Sequence, residues 1–504
     1  MNAVSILNEV LGPIMFGPSS SHTAGSYHIG RLARDLLGEP LRTARIAFDP
    51  AGSYAQLYRE QGSDRAFVAG LLGWDITDDR FHSALAEAER SGVSVEFVVE
   101  PLAEADHPNT VELSLTGVRG TTLHVVARSI GGGAIEIVRL NGMPILLRGD
   151  ANACILLPKA GTVQNVIEML RAQGVEHVAS SEPLLIAAME GREQPKIPDE
   201  VLEDVWTVRA IFYPRLGSPP WRSSAELLAR GGERLGESGL FYECAVLGLD
   251  EQRVLAEVLR RYDVMRESVH TGLCDEDLSM QLLRPVAGAM MKHEHAGALP
   301  VGGLHARAAA RAMAVMHVNG AMGRLCAAPT AGSAGVLPGV LVTLEEECGV
   351  DRERIALGLL AAGAVGVVIA ERATFAAEVA GCQVEIGASG AMAAAAVVDI
   401  FGGSARQACD AAAISLQNTM GMVCDLVQGI VEIPCHTRNA VAASSAFVCA
   451  DLVMAGYQNP VSLDETVDAV YAVGKMLPPE LRCTSKGGLA VTPSAKNLRR
   501  LRVL

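Results

Sequence analysis

The chain has 504 residues, 49% of them hydrophobic and 20% charged, a composition typical of a globular protein of two to four domains. With 57 acidic and 42 basic residues its formal net charge is -15, which argues against nucleic acid or an anionic membrane as the main partner. The cysteines are odd in number, 11, and the N-terminus lacks signal-peptide features, so we expect reduced thiols and a cytoplasmic location.

The N-terminal region, residues 1–148, mixes helical and strand patterns. A helix is predicted through Arg31 to Leu37, and a Gly-Gly-Gly run at 131–133 leads into a strand that turns at Asn141-Gly142, a strong hairpin signal. The predicted strands of this region are Arg45–Phe48, Val93–Val99, Thr121–Ala127 and Ala134–Val138.

Residues 149–215 have the pattern of a small ferredoxin-like βαββαβ domain, the shape of domains that bind regulatory amino acids. The predicted strand, helix, strand, strand, helix and strand are 153–157, 163–173, 177–180, 184–188, 199–205 and 208–213. Fold does not prove binding, so ligand sensing and a purely structural spacer both remain open.

Residues 221–504, which follow a turn-rich linker, are predicted to be all helical. Alanine, leucine, methionine and glutamate dominate, and proline and glycine breaks divide the region into about ten helices of a compact bundle. The longest apolar run, Ile355 to Ala370, is shorter than a membrane span and rich in alanine and glycine, so we expect a buried helix.

Three cysteines of the helical region lie beside glycine or proline, where backbone can approach a bulky inorganic group closely. They are Cys382 in Gly-Cys-Gln-Val-Glu, Cys424 in Gly-Met-Val-Cys-Asp, and Cys435 in Ile-Pro-Cys-His-Thr. Thiolates held in this way suit zinc or an iron–sulfur cluster, and three protein ligands leave a coordination position open for Lewis-acid chemistry. A buried free cysteine is also an ordinary core residue, so the pattern alone leaves both interpretations open.

With these cysteines and several further stretches, the sequence resembles the iron–sulfur-dependent L-serine dehydratases. The cysteine spacings of 42 and 11 residues agree with the family's cluster ligands, and the match runs in order over nearly the whole chain. The further matching stretches are Phe-Gly-Pro-Ser-Ser-Ser-His-Thr-Ala-Gly at 16–25, Asp-His-Pro-Asn-Thr at 106–110, Ser-Ile-Gly-Gly-Gly at 129–133, Ala-Pro-Thr-Ala-Gly-Ser-Ala-Gly at 328–335 and Gly-Gly-Leu-Ala-Val-Thr-Pro at 487–493.

The resemblance implies a multidomain α+β protein in which the β subunit of the two-subunit enzyme is fused ahead of its α subunit. Its parts are an N-terminal α/β serine-dehydratase β domain (1–148), a degenerate ACT-like, ferredoxin-like domain (149–215) and an all-α catalytic domain (221–504). The family also implies a homodimer that acts on a small-molecule amino acid. Single-chain relatives often end in a cysteine tail that occupies the open iron, whereas this chain reads Ser494-Ala495-Lys496 after the shared stretch.

The resemblance further implies that the three cysteines bind a [4Fe–4S] cluster whose fourth iron takes the substrate hydroxyl, so that L-serine yields pyruvate and ammonia. The implied catalytic residues are His22, Ser21, Thr23 and His107, with His436 as another candidate base. The implied substrate-binding residues are Ser19, Thr330, Ser333 and Arg438. Each has a structural alternative, because hydroxyls and imidazoles also brace loops and arginine also pairs with neighbouring acids.

The chain departs from the family's pattern where substrate is expected. The segment 372–378 reads Arg-Ala-Thr-Phe-Ala-Ala-Glu, Leu426 stands where proline is usual, Gln61 replaces a histidine, and the Gly-Gly-Asp stretch is hard to find at 274–291. Loss of polar groups from a pocket changes substrate discrimination strongly. A related lyase for another β-hydroxy or β-thiol amino acid is therefore an alternative, with Phe375 suited to a bulkier substrate, and a non-catalytic amino-acid or redox sensor is a third.

Overall fold

The computed structural model describes residues 3–103, 105–175, 178–189, 194–275 and 277–501. Its chain divides into two compact units, a helical unit (Met1–Ser20, Arg59–Gln61 and Leu216–Leu504) and an α/β unit (Ser21–Tyr58 and Gly62–Arg215). The first residues of the chain therefore belong to the helical unit. The boundary predicted between residues 148 and 149 lies inside the α/β unit and stays a prediction.

The strands of the described residues, in chain order, are β1 (Ile14–Phe16), β2 (Leu41–Phe48), β3 (Ser94–Val99), β4 (Thr110–Gly117), β5 (Thr122–Gly131), β6 (Ala134–Leu140), β7 (Met143–Leu147), β8 (Ala153–Pro158), β9 (Val178–Ser181), β10 (Leu184–Ala188), β11 (Leu202–Val208) and β12 (Arg324–Cys326).

The α-helices are α1 (Gly25–Leu37), α2 (Ser53–Leu57), α3 (Ser63–Leu72), α4 (Ala84–Arg90), α5 (Val163–Ala172), α6 (Ser224–Ala229), α7 (Leu235–Leu247), α8 (Glu251–Cys274), α9 (Ala287–His295), α10 (Leu304–Gly320), α11 (Val336–Cys348), α12 (Arg352–Arg372), α13 (Ala377–Ala380), α14 (Ile386–Ile400), α15 (Ala405–Thr419), α16 (Cys435–Met454), α17 (Leu463–Met476) and α18 (Pro493–Asn497).

A six-stranded sheet organises the α/β unit, with the order β3-β2-β4-β5-β6-β7. Strands β2 and β3 are parallel and the other neighbours are antiparallel. Alternation along β5 buries Leu123, Val125 and Ala127 on the face against which α1 packs. The predicted hairpin at Asn141-Gly142 is confirmed: both residues have positive φ, and Leu140 of β6 pairs with Met143 of β7.

The second, four-stranded antiparallel sheet of this unit has the order β11-β8-β10-β9 and packs against α5. The helix predicted at 199–205 is wrong. A short 3-10 segment, Asp199–Val201, is followed directly by β11. The last strand therefore spans 202–208 instead of the predicted 208–213. Pairing with β8 selects the strand, because it buries Trp206 and Val208 on one face. Residue 177, where another predicted strand begins, lies outside the described residues.

In the helical unit the alanine- and glycine-rich helices are buried. The run from Ile355 to Ile369 in α12 is almost entirely inaccessible, which confirms the prediction made from the apolar pattern. A side chain at Gly363 or Gly366 would collide with Ile6 or Val10 respectively, at 2.5 and 2.1 Å. These two glycines therefore let the segment Ile6–Val10 lie directly on α12.

Two apolar helical segments of the described residues are long enough to cross a membrane by length and composition alone, Arg352–Arg372 and Cys382–Ile400. Their apolar windows are 78% and 94% buried within the protein, as in the core helices of folded proteins.

The expectation of an all-helical region after residue 221 needs one correction. The strand β12, at Arg324–Cys326, pairs with β1 in antiparallel register, with Met15 opposite Leu325. Both strands belong to the helical unit. A short strand was invisible in the sequence because its partner lies some three hundred residues earlier in the chain.

Candidate metal centre

Three loops between helices bring the predicted ligand cysteines into the interior of the helical unit. Cys382 follows α13 and opens a 3-10 turn, Cys424 lies in the loop after α15, and Cys435 is the first residue of α16. All three are almost fully buried. Gly381 precedes Cys382 with φ +76°, and a Cβ there would be 2.8 Å from the Met422 carbonyl oxygen, so the close approach of the two loops requires glycine.

The Sγ atoms of Cys382 and Cys424 and a carboxylate oxygen of Glu385 all lie within 4.8 Å of one another, a group able to hold a metal ion. The Cys382 Sγ is 3.9 Å from Glu385 Oε2. The Cys435 thiol is close enough for its protonation to depend on the charges of Cys382 and Glu385. The structure thus brings Cys382 and Cys424 together and adds a carboxylate that the motif analysis had not singled out. The role of Cys435 as a third ligand stays a prediction.

These thiols favour their neutral form as long as no cation is present. The contact with Cys424 and burial together raise the pKa of the Cys382 thiol, and burial followed by the charge of Cys382 raises that of Cys435. A coordinated metal removes a thiol proton outright. A group of buried thiols fits a bound metal or cluster, and the donor set is the soft sulfur type that iron–sulfur clusters use.

Arg438 lies at the edge of this group. Its Nη2 donates to Asp425 Oδ1 at 3.0 Å and its Nη1 to the Val423 carbonyl at 2.9 Å. Asp425 also accepts from the Leu489 backbone N–H at 2.8 Å, which ties the Gly-Gly-Leu-Ala stretch to the cysteine loop. The guanidinium thus has the neighbouring acid as its partner, and its role in binding substrate stays a prediction.

Glu385 connects the thiols to the predicted substrate loop. Withdrawal from water, with the charge of Glu378, raises its pKa to about 8, and a hydrogen bond with Thr330 opposes that rise. In the loop, Thr330 Oγ1 and Ser333 Oγ lie 3.1 Å apart and form a capping box around the turn Ala331–Ser333. Loop capping is therefore observed for both hydroxyls, and substrate binding by them stays a prediction.

The predicted substrate loop, residues 328–335, is held from several directions. Asn439 accepts from the Gly335 backbone N–H at 3.0 Å and donates to the Gly332 carbonyl at 2.9 Å. Ser20 Oγ accepts from the Ala331 N–H at 3.3 Å, so the residue after Ser19 touches this loop directly. Ser19 itself is only partly buried.

Gln61, the replacement for a family histidine, also belongs to the helical unit. Its Nε2 donates to the Gly429 carbonyl at 3.1 Å, in the loop that joins Cys424 to Cys435. Leu426 of the same loop is buried, and its carbonyl accepts from Ser485 Oγ at 2.7 Å. One departure from the family pattern, Leu426, therefore lies in this loop, and a second, Gln61, is hydrogen-bonded to it.

Cys483, which the sequence analysis did not single out, is also part of this region. It is buried, and its backbone N–H donates to the Cys424 carbonyl at 3.0 Å. Its only sequence signal is its position four residues before the Gly-Gly-Leu-Ala stretch. Nothing in the local pattern indicates that this loop folds back onto Cys424.

His436, the residue after Cys435, is fully buried with its ring centroid 5.4 Å from that of His317. Burial, followed by the charge of His317, lowers the pKa of His436 to about 3, and burial lowers that of His317 to about 4. Both imidazoles are therefore neutral near pH 7.

The remaining predicted catalytic residues, Ser21, His22, Thr23 and His107, lie in the α/β unit. His22 is fully buried: its Nε2 is 3.0 Å from Ser53 Oγ, and its carbonyl accepts from the Ser26 and Ser63 hydroxyls at 2.5 and 2.6 Å. His22 thus braces its loop, as its structural alternative predicted.

His107 contributes to a neighbouring turn of the α/β unit. Its Nδ1 accepts from the Asn109 N–H at 3.1 Å, and the Pro108 carbonyl accepts from the Ser53 N–H at 2.8 Å. Ser53 is therefore bonded both to His22 and to the turn that carries His107. Catalytic roles for these residues stay predictions.

Comparison with known proteins agrees with this arrangement. Residues 159–490 match the family described as serine dehydratase alpha chain. The chain is similar to a probable L-serine dehydratase alpha chain of Bacillus subtilis, with 39% identity over 51% of this chain and 85% of that protein. It is similar to a probable L-serine dehydratase beta chain of the same organism, with 36% identity over 39% of this chain and 90% of that protein. An L-serine dehydratase of Streptomyces coelicolor is 28% identical over 97% of this chain and 99% of its own length.

Proposed function

Because the chain belongs to the serine dehydratase alpha chain family, whose members are lyases, we propose that it is an iron–sulfur-dependent L-serine ammonia-lyase that converts L-serine to pyruvate and ammonia. The observation that carries the proposal is the group of buried thiols beside Glu385 and the Thr330 loop. Similarity both to an alpha chain and to a beta chain supports a fusion of the two subunit types.

Cys382, Cys424 and Cys435 are the proposed ligands of a [4Fe–4S] cluster. When bound, such a cluster supplies a Lewis acid that makes the substrate hydroxyl a better leaving group. The chain's own residues prepare the site. Arg438, held by Asp425, places positive charge beside the thiolates, and burial of the loops limits access of water and oxidants to the sulfur atoms.

Polar groups of the substrate loop are proposed to orient the amino acid. The Thr330 and Ser333 hydroxyls and the Glu385 carboxyl group offer donors and acceptors for its carboxylate and ammonium. Gly332 lies beside Glu385, because a Cβ there would be in ordinary van der Waals contact with both carboxylate oxygens, at 3.7 Å. His22, Ser21, Thr23 and His107, all of which lie in the α/β unit, are proposed as catalytic residues on the resemblance alone.

The test is formation of a 2-oxo acid from L-serine by protein purified without oxygen. We expect pyruvate formation that is lost in air, and we expect Cys382→Ser, Cys424→Ser and Cys435→Ser variants to lose both iron and activity. Cys449→Ser is the matched control, because Cys449 is also buried in α16 but is no proposed ligand. Iron-loaded wild-type protein that forms no pyruvate would refute the assignment of L-serine.

A second candidate substrate class is favoured by Phe375, a buried residue in the segment before Cys382. A β-hydroxy or β-thiol amino acid with a larger side chain would suit an apolar wall. The proposal predicts that Phe375→Ser shifts the ranking of kcat/KM among serine, threonine and larger analogues toward serine. An unchanged ranking would remove Phe375 from substrate selection.

A further inference from the structure

Asn319, the second-last residue of α10, joins the two stretches of the helical unit that carry predicted substrate-binding hydroxyls. Its Nδ2 donates to the Pro18 carbonyl at 3.0 Å and to the Ala331 carbonyl at 3.2 Å. The side chain is fully buried. The two carbonyls stand next to Ser19 and Thr330 respectively, so one amide group holds the main chain beside both predicted hydroxyls.

The chemistry of the two partners explains why an asparagine suits this position. Its amide nitrogen carries two hydrogens, and both partners are carbonyl oxygens, which only accept. Aspartate has the same shape but would place a carboxylate against the two carbonyls, and leucine has no donor. A Cβ at Gly17 would collide with the side-chain and main-chain oxygens of Asn319. Gly17 therefore lets the N-terminal segment lie directly against the end of α10.

Further hydrogen bonds join the same two stretches. The Gly17 N–H donates to the Gly323 carbonyl at 3.1 Å, and strands β1 and β12, which lead into the two stretches, pair with each other. Ser20 Oγ accepts from the Ala331 N–H at 3.3 Å. The strand pair and the Gly17 bond align the two stretches, whereas Asn319 and Ser20 hold them together at the predicted substrate site.

We propose that Asn319 is a positioning residue for the amino-acid substrate, which keeps Ser19 and the predicted substrate loop together as one binding site. This inference rests on the proposed function. Hydroxyls from two separate stretches bind one small ammonium or carboxylate group only while the stretches keep their relative position. A hydrogen bond to a charged group of the substrate is worth about a factor of ten in binding. The proposed metal ligands lie on other loops, so loss of the Asn319 amide should leave iron binding unchanged.

The kinetic test compares Asn319→Ala and Ser20→Ala with wild type, each purified as full-length holoenzyme without oxygen. We expect Asn319→Ala to raise the KM for L-serine about tenfold, with iron per chain at the wild-type level. Ser20→Ala removes one longer bond and should raise KM about threefold. Asn418→Ala is the matched control, because the Asn418 amide donates only to the Ile414 carbonyl of its own helix, at 2.9 Å. Its KM should equal that of wild type.

Hydrogen exchange, read by mass spectrometry on peptides that cover residues 13–20 and 328–335, needs no turnover. Without substrate, both peptides should exchange faster in Asn319→Ala than in wild type. L-serine should slow exchange in both peptides of wild type, and the same concentration should slow it much less in Asn319→Ala.

An unchanged KM in Asn319→Ala would overturn the inference, and so would a lower kcat with unchanged KM, because a purely structural residue changes only the amount of active enzyme. Thermal unfolding verifies that each variant is folded. If Asn319→Ala does not fold, Ser20→Ala decides in its place by the same criterion. Failure of the proposed function is distinguishable, because iron-loaded wild type would then form no pyruvate from L-serine.

Discussion

Gly381 directly precedes Cys382 in the candidate metal centre and has a backbone conformation that alanine rarely adopts. Replacing it with alanine should therefore displace Cys382. With φ +76° and ψ -178°, the backbone of Gly381 lies in a region that is nearly exclusive to glycine. A Cβ at this position would lie 2.8 Å from both the Met422 carbonyl oxygen and Leu477 Cδ1. The carbonyl belongs to the backbone of the loop that leads to Cys424, so it cannot move away without moving that ligand.

The two effects can be estimated separately. The backbone conformation costs an alanine roughly 1–3 kcal/mol, and overpacking against a fixed neighbour costs roughly 1–3 kcal/mol more. Gly421→Ala is a matched control in the same region, since Gly421 also has positive φ, +84°, but an added Cβ would meet nothing within 4 Å. That variant should lose only the backbone part, roughly 1–2 kcal/mol.

The assay is urea unfolding of the metal-free variants, followed by measurement of iron per chain after anaerobic reconstitution. Gly381→Ala should lose about 2–6 kcal/mol of unfolding free energy and most of its iron. Gly421→Ala should retain iron at the wild-type level. Equal losses in the two variants would refute the reasoning, because the contact with Met422 would then contribute nothing.

Three further predictions concern ionisable groups in the interior. Glu432 accepts three backbone N–H bonds from residues 281–283, at 2.7–2.9 Å, so Glu432→Ala should lower the unfolding free energy in urea by about 3 kcal/mol. Burial lowers the pKa of His28 from 6.5 to about 4, so its contribution is present above pH 6.5 and is lost as pH falls toward 4. We therefore expect the unfolding free energy of wild type, measured in urea, to fall by about 2 kcal/mol more than that of His28→Phe between pH 7 and pH 5. Equal losses would contradict a neutral, buried imidazole. Arg438→Met leaves the buried carboxylate of Asp425 without its guanidinium partner, so we expect it to lower the unfolding free energy by about 3 kcal/mol and to reduce iron per chain. Urea unfolding and iron analysis test these two effects.

Local patterns predicted the features that depend on neighbouring residues. The hairpin at Asn141-Gly142 follows from the positive φ that those two residues tolerate, and the burial of α12 follows from an unbroken apolar run. The three cysteines were found in the same way, because glycine and proline beside them mark loops with closely approaching backbone. Each signal lies within a few residues of the feature that it predicts.

Contacts between distant parts of the chain decided the rest. Residues 202–208 form a strand instead of a helix because pairing with β8 buries Trp206 and Val208. Glu385 belongs to the candidate metal centre because the fold places Cys424 beside Cys382. Cys483 lies next to this centre because its backbone is hydrogen-bonded to that of Cys424, almost sixty residues earlier in the chain. Residue type and spacing, together with the family resemblance, therefore predicted the ligands, whereas their surroundings depend on packing that brings separate loops together, which no local pattern encodes.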